Sequence, residues 1–458
     1  MNFIRNRLGW EDRGFWKHVL LIGIPVVIQN LISSSLNMVD TVMIGRLGAN
    51  EMVAVGLANQ LFFLFTLILF GVNSGAGIFV AQFWGKRDVA SIRRVQGLGL
   101  INGLVGAVLA MAVAYWLPRP FLALFDATPQ VTQLGVDYLA WVAWSYIPTA
   151  ITFTFAFTLR SIGQPKLSTL ASAVAIVVNT VLNYIFIFGK LGCPVMGVKG
   201  AALATGIARI AELVIIMGGV YGKRMVPAAR LKEMWPRGKA FIAQYYKTSM
   251  PVFFNEFIWA LGTTVYSMIY GRMGTEALAA LNIVGTISRM TQVTLNGVGQ
   301  ATSVLVGSSL GAGELAQADT YAKRFLFMGP LMGAIFGVVQ CAISPAVVLI
   351  YNVSDAVRML SVWVLLIDAG LAVFRSFNFV NIVGILRSGG DTKFCLFLDV
   401  AGVWMIGIPL AALGTLALHL PLQWVFLLVC CDEIFKAIVG LKRYMGKKWL
   451  RNIVDVMT

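Results

Sequence analysis

VLLIGIPVVIQNLISSSLNMVDTVMIG, residues 19–45, carries one charged side chain, Asp40, in an otherwise uncharged and mostly apolar run. A membrane-spanning helix needs about 20 such residues, whereas the apolar core of a cleavable signal has roughly 7–15. The run therefore reads as a retained first transmembrane helix, entered through a basic and aromatic lead of Arg5, Arg7, Trp10, Arg13, Trp16 and Lys17. Working outward from it, comparable stretches bounded by charge or by Gly/Pro turns fall at 17–44, 52–82, 95–117, 132–158, 167–189, 199–222, 243–270, 278–310, 322–350, 357–385, 394–418 and 420–442. Those twelve spans predict an all-α integral membrane protein.

Composition agrees. The chain has 458 residues, 58% hydrophobic and 12% charged, about half the charged share of a soluble domain. Its mean hydropathy is +0.80. A single soluble fold is excluded, and 29 Phe, 12 Trp and 12 Tyr with so little charge exclude disorder. Four of the five cysteines (Cys193, Cys341, Cys395, Cys430, Cys431) sit in apolar runs, so neither a disulfide framework nor a cysteine metal site is expected. An enzyme is not expected either. The two histidines, His18 and His419, lie apart near membrane ends, and no nucleophile–base set, phosphate loop or zinc spacing is present. No cofactor is implied. A channel is disfavoured because there is no filter-like loop or ring of like charge.

The net charge of +16 is explained by topology. With a cytoplasmic N-terminus, 26 Lys and Arg fall on inner segments and six (Arg46, Arg119, Lys190, Lys199, Arg272, Arg358) on outer ones. The positive-inside rule places both termini in the cytoplasm, with the basic residues against anionic headgroups and no nucleic-acid footprint. The longest connection, after Tyr221, gathers Lys223, Arg224, Arg230, Lys232, Arg237 and Lys239 with Pro227 and Pro236. The expected organisation is an N-terminal segment 1–16, a six-helix lobe 17–222, a basic loop 223–242, a second six-helix lobe 243–442 and a basic tail 443–458.

The halves repeat at an offset of 226 residues. Pro25-Val26 matches Pro251-Val252, Gly45-Arg46-Leu47-Gly48 matches Gly271-Arg272-Met273-Gly274, and Gly85 matches Gly311. One residue further out of register, Leu159-Arg160-Ser161 and Lys166 match Leu386-Arg387-Ser388 and Lys393. Six spans per half give both halves one orientation, hence a pseudo-two-fold axis along the membrane normal, a central cleft and alternating access.

The run Asn37-Met38-Val39-Asp40-Thr41-Val42-Met43-Ile44-Gly45, the two Leu-Arg-Ser turns, Gly197-Val198-Lys199-Gly200-Ala201-Ala202-Leu203-Ala204-Thr205 and Gly446-Lys447-Lys448-Trp449 resemble the multidrug and toxic compound extrusion family, over essentially the whole chain from Ile22 to Trp449. The resemblance implies a bacterial inner-membrane antiporter that expels amphipathic, often cationic, compounds against inward Na⁺ or H⁺. A monomer suffices, since each chain holds its own cleft. The alternative within the same superfamily is a flippase for a lipid-linked precursor, which should line its cleft with Arg or Lys.

An ionisable group at membrane depth is costly and so a functional candidate. At about 1.5 Å per residue, Asp40, Asn179, Asn183 and Thr205 all lie roughly 8–15 Å below the outer surface. Asn179 and Asn183, four apart, share a helix face. A carboxylate, two amides, a hydroxyl and a backbone carbonyl freed near Gly200-Ala201 make an all-oxygen set suited to a hard cation. The resemblance assigns coupling-cation binding, Na⁺ if sodium-coupled, to Asp40, Asn179, Asn183, Ala201 through its carbonyl, and Thr205. Otherwise Asp40 and the Asn pair join helices.

In the second half, the resemblance gives Glu256 a role in coupling or in holding a cationic substrate. A pair with Arg289 or Arg375 is the structural alternative. An aspartate expected in span ten is replaced by Arg375, with Asp368 two turns away on the same face. Asp399 is a cytoplasmic gate or a fold contact. Arg209 with Glu212, and Asp432 and Glu433 with Lys436, are expected as structural pairs. Pro25 and Pro251 are candidate hinges, with Pro409 a third break. Aromatics such as Phe62, Phe65, Trp144, Tyr146, Trp259 and Tyr266, with Met38, Met43, Met268 and Met290, could line a wall for flat organic cations.

Overall fold

In lipid a backbone must satisfy its own N–H and C=O groups, which the described residues do with helices and turns and no strand. The computed structural model describes residues 12–125, 128–236, 238–351 and 353–457, without the side chains of residues 35–38 and 290. The expectations for residues 1–11, Arg237, Met38 and Met290 lie outside the described residues.

Each of the twelve apolar stretches is helical. These are α1 Arg13–Gly45, α2 Ala49–Gly85, α3 Val89–Trp116, α4 Pro129–Ser161 with a 3₁₀ turn at Ala143–Ser145, α5 Lys166–Phe188 and α6 Gly197–Gly222. The second half holds α7 Lys239–Gly271, α8 Thr275–Gly311, α9 Leu315–Val348, α10 Asp355–Leu386, α11 Thr392–Ala417 and α12, residues 422–445, in two pieces parted at Cys430. Nine of them, among the described residues, are long and apolar enough alone to cross a membrane. The other three are α7 and α8, which carry Glu256, Arg289, Gln292 and Asn296, and the interrupted α12. The chain is thus a multi-pass, all-helical membrane protein.

Ends are set locally. Asp88 caps α3 by accepting from the Ser91 backbone N–H at 3.0 Å and the Ser91 hydroxyl at 2.6 Å. Asp88→Ala should destabilise by about 1 kcal/mol, read as a lowered unfolding temperature in detergent. Gly189, at φ 63°, ends α5 in the left-handed conformation that glycine adopts without strain. Large apolar side chains such as Val108, Leu109, Val177 and Val338 stay exposed, as lipid-facing positions should.

Contacts group the chain into two units, residues 24–80 with 88–245, and residues 1–23 with 81–87 and 246–458. In the first, α5 packs along α6 while α4 packs on α3 and α6. In the second, α8, α9 and α10 pack together and α12 packs on α10. The grouping departs from the lobes 17–222 and 243–442 at two places, for a visible reason. Phe15 packs on Tyr321 and Phe325 with centroids 5.3 and 5.2 Å away, and Arg324 sits over the Phe15 ring while bonding Asp12 at 3.0 Å. The Arg324 guanidinium holds the Asp12 carboxyl below the usual range, so this tether is present at neutral pH and weakens as pH falls. At the end of α2, Gln82 donates to the Ser388 carbonyl at 2.7 Å and accepts from the Ile453 N–H at 2.9 Å. The repeat-related glycines 85 and 311 explain that closeness. A Cβ on Gly85 would strike the Ser308 backbone, and one on Gly311 the Gln82 backbone. The basic tail is packed as well, with Trp449 and Val454 fully buried and Trp449 stacked on Tyr444 at 5.6 Å.

Candidate functional site

In the first unit the residues expected at one depth meet. Asn183 on α5 donates through Nδ2 to Asp40 Oδ1 on α1 at 2.6 Å and to Asn179 Oδ1 at 3.1 Å. Asn179 Nδ2 in turn donates to Thr205 Oγ1 on α6 at 3.3 Å. Both asparagines are 1% exposed, yet Asn183 Oδ1 has no hydrogen-bond partner among the described residues. An acceptor left this way in a membrane interior is costly, and a bound cation would satisfy it. Ala201 is buried beside them, but α6 runs unbroken from Gly197, so its carbonyl belongs to the helical ladder and is not freed there. The first turns of a helix leave N–H groups unpaired, not carbonyls.

Sequence reasoning missed Tyr138. This buried α4 residue stands beside Asp40 and Thr205, and its hydroxyl donates to Asn59 Oδ1 at 3.5 Å. A lone tyrosine in a span has no spacing that would single it out.

Two to three turns away, toward the N-terminal ends of α1 and α5 and the C-terminal end of α6, the same three helices hold Gln29, Ser172 and Glu212. Gln29 Nε2 donates to Ser172 Oγ at 2.9 Å, and Ser172 Oγ donates to Glu212 Oε1 at 2.7 Å. Arg209 and Glu212 form the expected pair, at 3.0 Å. Pro25 lies inside an unbroken α1, and its carbonyl accepts from Thr169 Oγ1 at 3.1 Å. Pro251 also lies inside an unbroken helix, and Pro409 follows a π-helical stretch, Ala401–Gly407.

In the second unit, Glu256 pairs with neither Arg289 nor Arg375. Its Oε1 takes Arg387 Nη1 at 2.8 Å, and Arg387 Nη2 lies 3.9 Å from Asp399 Oδ2. Asn255 Nδ2 also donates to Asp399, at 2.7 Å. Arg375 pairs instead with Asp368, which accepts from Ser288 Oγ at 2.6 Å and from Gln340 Nε2 at 3.0 Å. Three donors thus occupy Asp368, and the Arg375 guanidinium compensates its charge. Lys436 bridges Glu433 at 2.9 Å and Asp432 at 3.2 Å.

Several candidate wall aromatics pack internally. Phe65 stacks on Tyr146 at 5.2 Å, and Trp144 fills the space over Gly206. Trp259 and Met268 remain exposed.

The chain is similar to proteins of known name along nearly its whole length. It is 24% identical over 428 residues to the uncharacterized transporter YisQ of Bacillus subtilis, covering 93% of this chain and 94% of that protein. It is 26% identical over 400 residues to the probable multidrug resistance protein NorM of Rhizobium meliloti, covering 85% and 84%. Among solved structures, the Vibrio cholerae MATE transporter VcmN in its bent form superposes with a TM-score of 0.86 at 18% identity, over 97% of this chain and 98% of that one. A MOP superfamily transporter from Pyrococcus furiosus gives 0.83 at 18% identity, over 96% of each. At such identity these structures speak to the fold. The MatE family profile matches residues 25–185 and again 251–413, most of the chain and once in each half. The chain is therefore a member of the MATE, or multidrug and toxic compound extrusion, family of membrane transporters.

Proposed function

We propose that this transporter is a cation-coupled antiporter that exports small amphipathic cations, by alternating access, in exchange for Na⁺ or H⁺. The observation that carries the reading is the Asp40 cluster: one carboxylate, the unpartnered Asn183 carbonyl and the Thr205 hydroxyl on three helices. A hard cation or a proton fits such oxygens. The NorM relative is named a probable multidrug resistance protein, which supports a drug-like cargo.

The flippase alternative needs cations for a diphosphate. Arg209, Arg375, Arg387 and Lys436 are already paired with acids, which leaves Arg160 and Arg289, one in each half, as basic residues of the spans that show no ion pair among the described residues. That favours a cationic cargo.

Proteoliposomes loaded with a fluorescent organic cation test the reading. Efflux should accelerate under an inward Na⁺ gradient or an inward pH gradient, and folded protein that answers neither would overturn it. Glu256→Gln should affect cationic and neutral cargo by similar factors, because Arg387 already neutralises that carboxylate. Loss confined to cationic cargo would restore Glu256 as a direct charge contact.

A further inference from the structure

Two polar sets occupy the same faces of three helices in the first unit. The outer set is Asp40 on α1, Asn179 and Asn183 on α5, and Thr205 on α6; the inner set is Gln29, Ser172 and Glu212 on the same helices in the same order. Gln29 precedes Asp40 by eleven residues, Ser172 precedes Asn179 by seven and Asn183 by eleven, and Glu212 follows Thr205 by seven. Seven and eleven residues are two and three helical turns to within about 20°, so every inner residue lies under an outer one, roughly 10–17 Å further in.

The inner set is a built site. Gln29, Ser172 and Glu212 are 8%, 7% and 6% exposed and joined by hydrogen bonds, yet Gln29 Oε1 is buried with no partner among the described residues. A pair of Arg209 and Glu212 three residues apart would need neither Gln29 nor Ser172. The orphaned carbonyl, the hydroxyl and the carboxylate again form an oxygen set for a small hard cation or a proton. Arg209 lies one turn inward of Thr205 and one turn outward of Glu212, with its guanidinium 5.6 Å from the Phe62 ring centroid. It stands between the two carboxylates.

We infer that Gln29, Ser172 and Glu212 form an inner station for the coupling cation. The station receives the ion from the Asp40 cluster on its way to the cytoplasm, and Arg209 is its resident counter-charge. When the ion reaches Glu212, Arg209 turns outward and compensates Asp40, so no carboxylate is left uncompensated in the membrane. The inference rests on Asp40 binding the coupling ion.

The test uses the full-length protein and a fluorescent organic cation. In detergent, displacement of the bound probe by Na⁺ or by lowered pH reports the outer site, and in proteoliposomes gradient-driven efflux reports turnover. Glu212→Gln should keep displacement but lose efflux by roughly 5–150-fold, the usual range of one coupling interaction. Glu212→Asp should restore most of it, and Arg209→Gln should raise cation leak in the absence of cargo. Ser172→Ala, which leaves the Arg209–Glu212 pair in place, should also slow efflux. Unchanged efflux in Glu212→Gln or Ser172→Ala would overturn the station. So would loss of displacement in Glu212→Gln matching that of Asp40→Asn, since there would then be one site and not two. Normal coupling in Asp40→Asn would instead overturn the outer site itself.

Discussion

Asp40→Asn should leave the protein folded and in the membrane while abolishing cation-driven efflux. The substitution is nearly isosteric, and the amide oxygen can still accept the Asn183 Nδ2 hydrogen that Asp40 Oδ1 takes at 2.6 Å. What it removes is a charge. Removing a carboxylate from membrane depth relieves a desolvation cost, so the unfolding temperature should hold or rise. The remaining Asn183 carbonyl and Thr205 hydroxyl are neutral and bind a cation weakly. Coupling of the kind expected here is worth roughly 5–150-fold in rate or affinity, and the variant should lose all of it. Efflux in proteoliposomes should then run at its gradient-free rate under either Na⁺ or proton gradients. Moving the carboxylate across the hydrogen bond, as Asp40→Asn with Asn183→Asp, should restore part of the response. Transport at the parental rate in Asp40→Asn would remove the cluster from the mechanism.

The sequence made the spans legible because lipid permits little except helix, and an apolar run of sufficient length has one outcome. The ends moved where polar first turns extend a helix beyond its apolar core. α9 starts at Leu315, ahead of Gln317, Asp319 and Lys323, and not at 322. Depth counting worked for Asp40, Asn183, Asn179 and Thr205 because helical rise is nearly constant and all four sit on regular helix. The partner of Glu256 was not legible. Arg387 reads as one more cytoplasmic basic residue at a turn, yet it is 4% exposed and wedged between α7 and α11. Helix rotation decides that placement, and composition does not report rotation. The first turns of α1 and the last of α2 show the same limit. The grouping of the first with residues 246–458 rests on Phe15 and Asp12 meeting Tyr321, Phe325 and Arg324, and that of the last on glycines 85 and 311 meeting backbone, which only coordinates show.

Arg387→Ala should be among the most destabilising single changes in the chain, at about 3–5 kcal/mol, the usual loss when one partner of a buried ion pair is removed. Its guanidinium lies between Glu256 at 2.8 Å and Asp399 at 3.9 Å, while Asn255 donates to Asp399 and the Lys436 ammonium on α12 is near enough for its charge to act on that carboxylate. Without Arg387 two carboxylates face each other away from water. Arg387→Lys should fall between, because an ammonium lacks the planar fork that can serve both acids. Adding Glu256→Gln to Arg387→Ala should recover much of the loss, since one uncompensated charge is then gone. The repeat supplies a control within the same chain. Arg160 is the counterpart of Arg387, but the counterparts of Glu256 and Asp399 are Asn30 and Ser172, and Arg160 makes no ion pair among the described residues. Arg160→Ala leaves no stranded acid and should cost much less. Thermal unfolding of the four variants in detergent would decide it. Equal losses for Arg160→Ala and Arg387→Ala would mean that the shared Leu-Arg-Ser turn, and not the buried pair, needs the arginine.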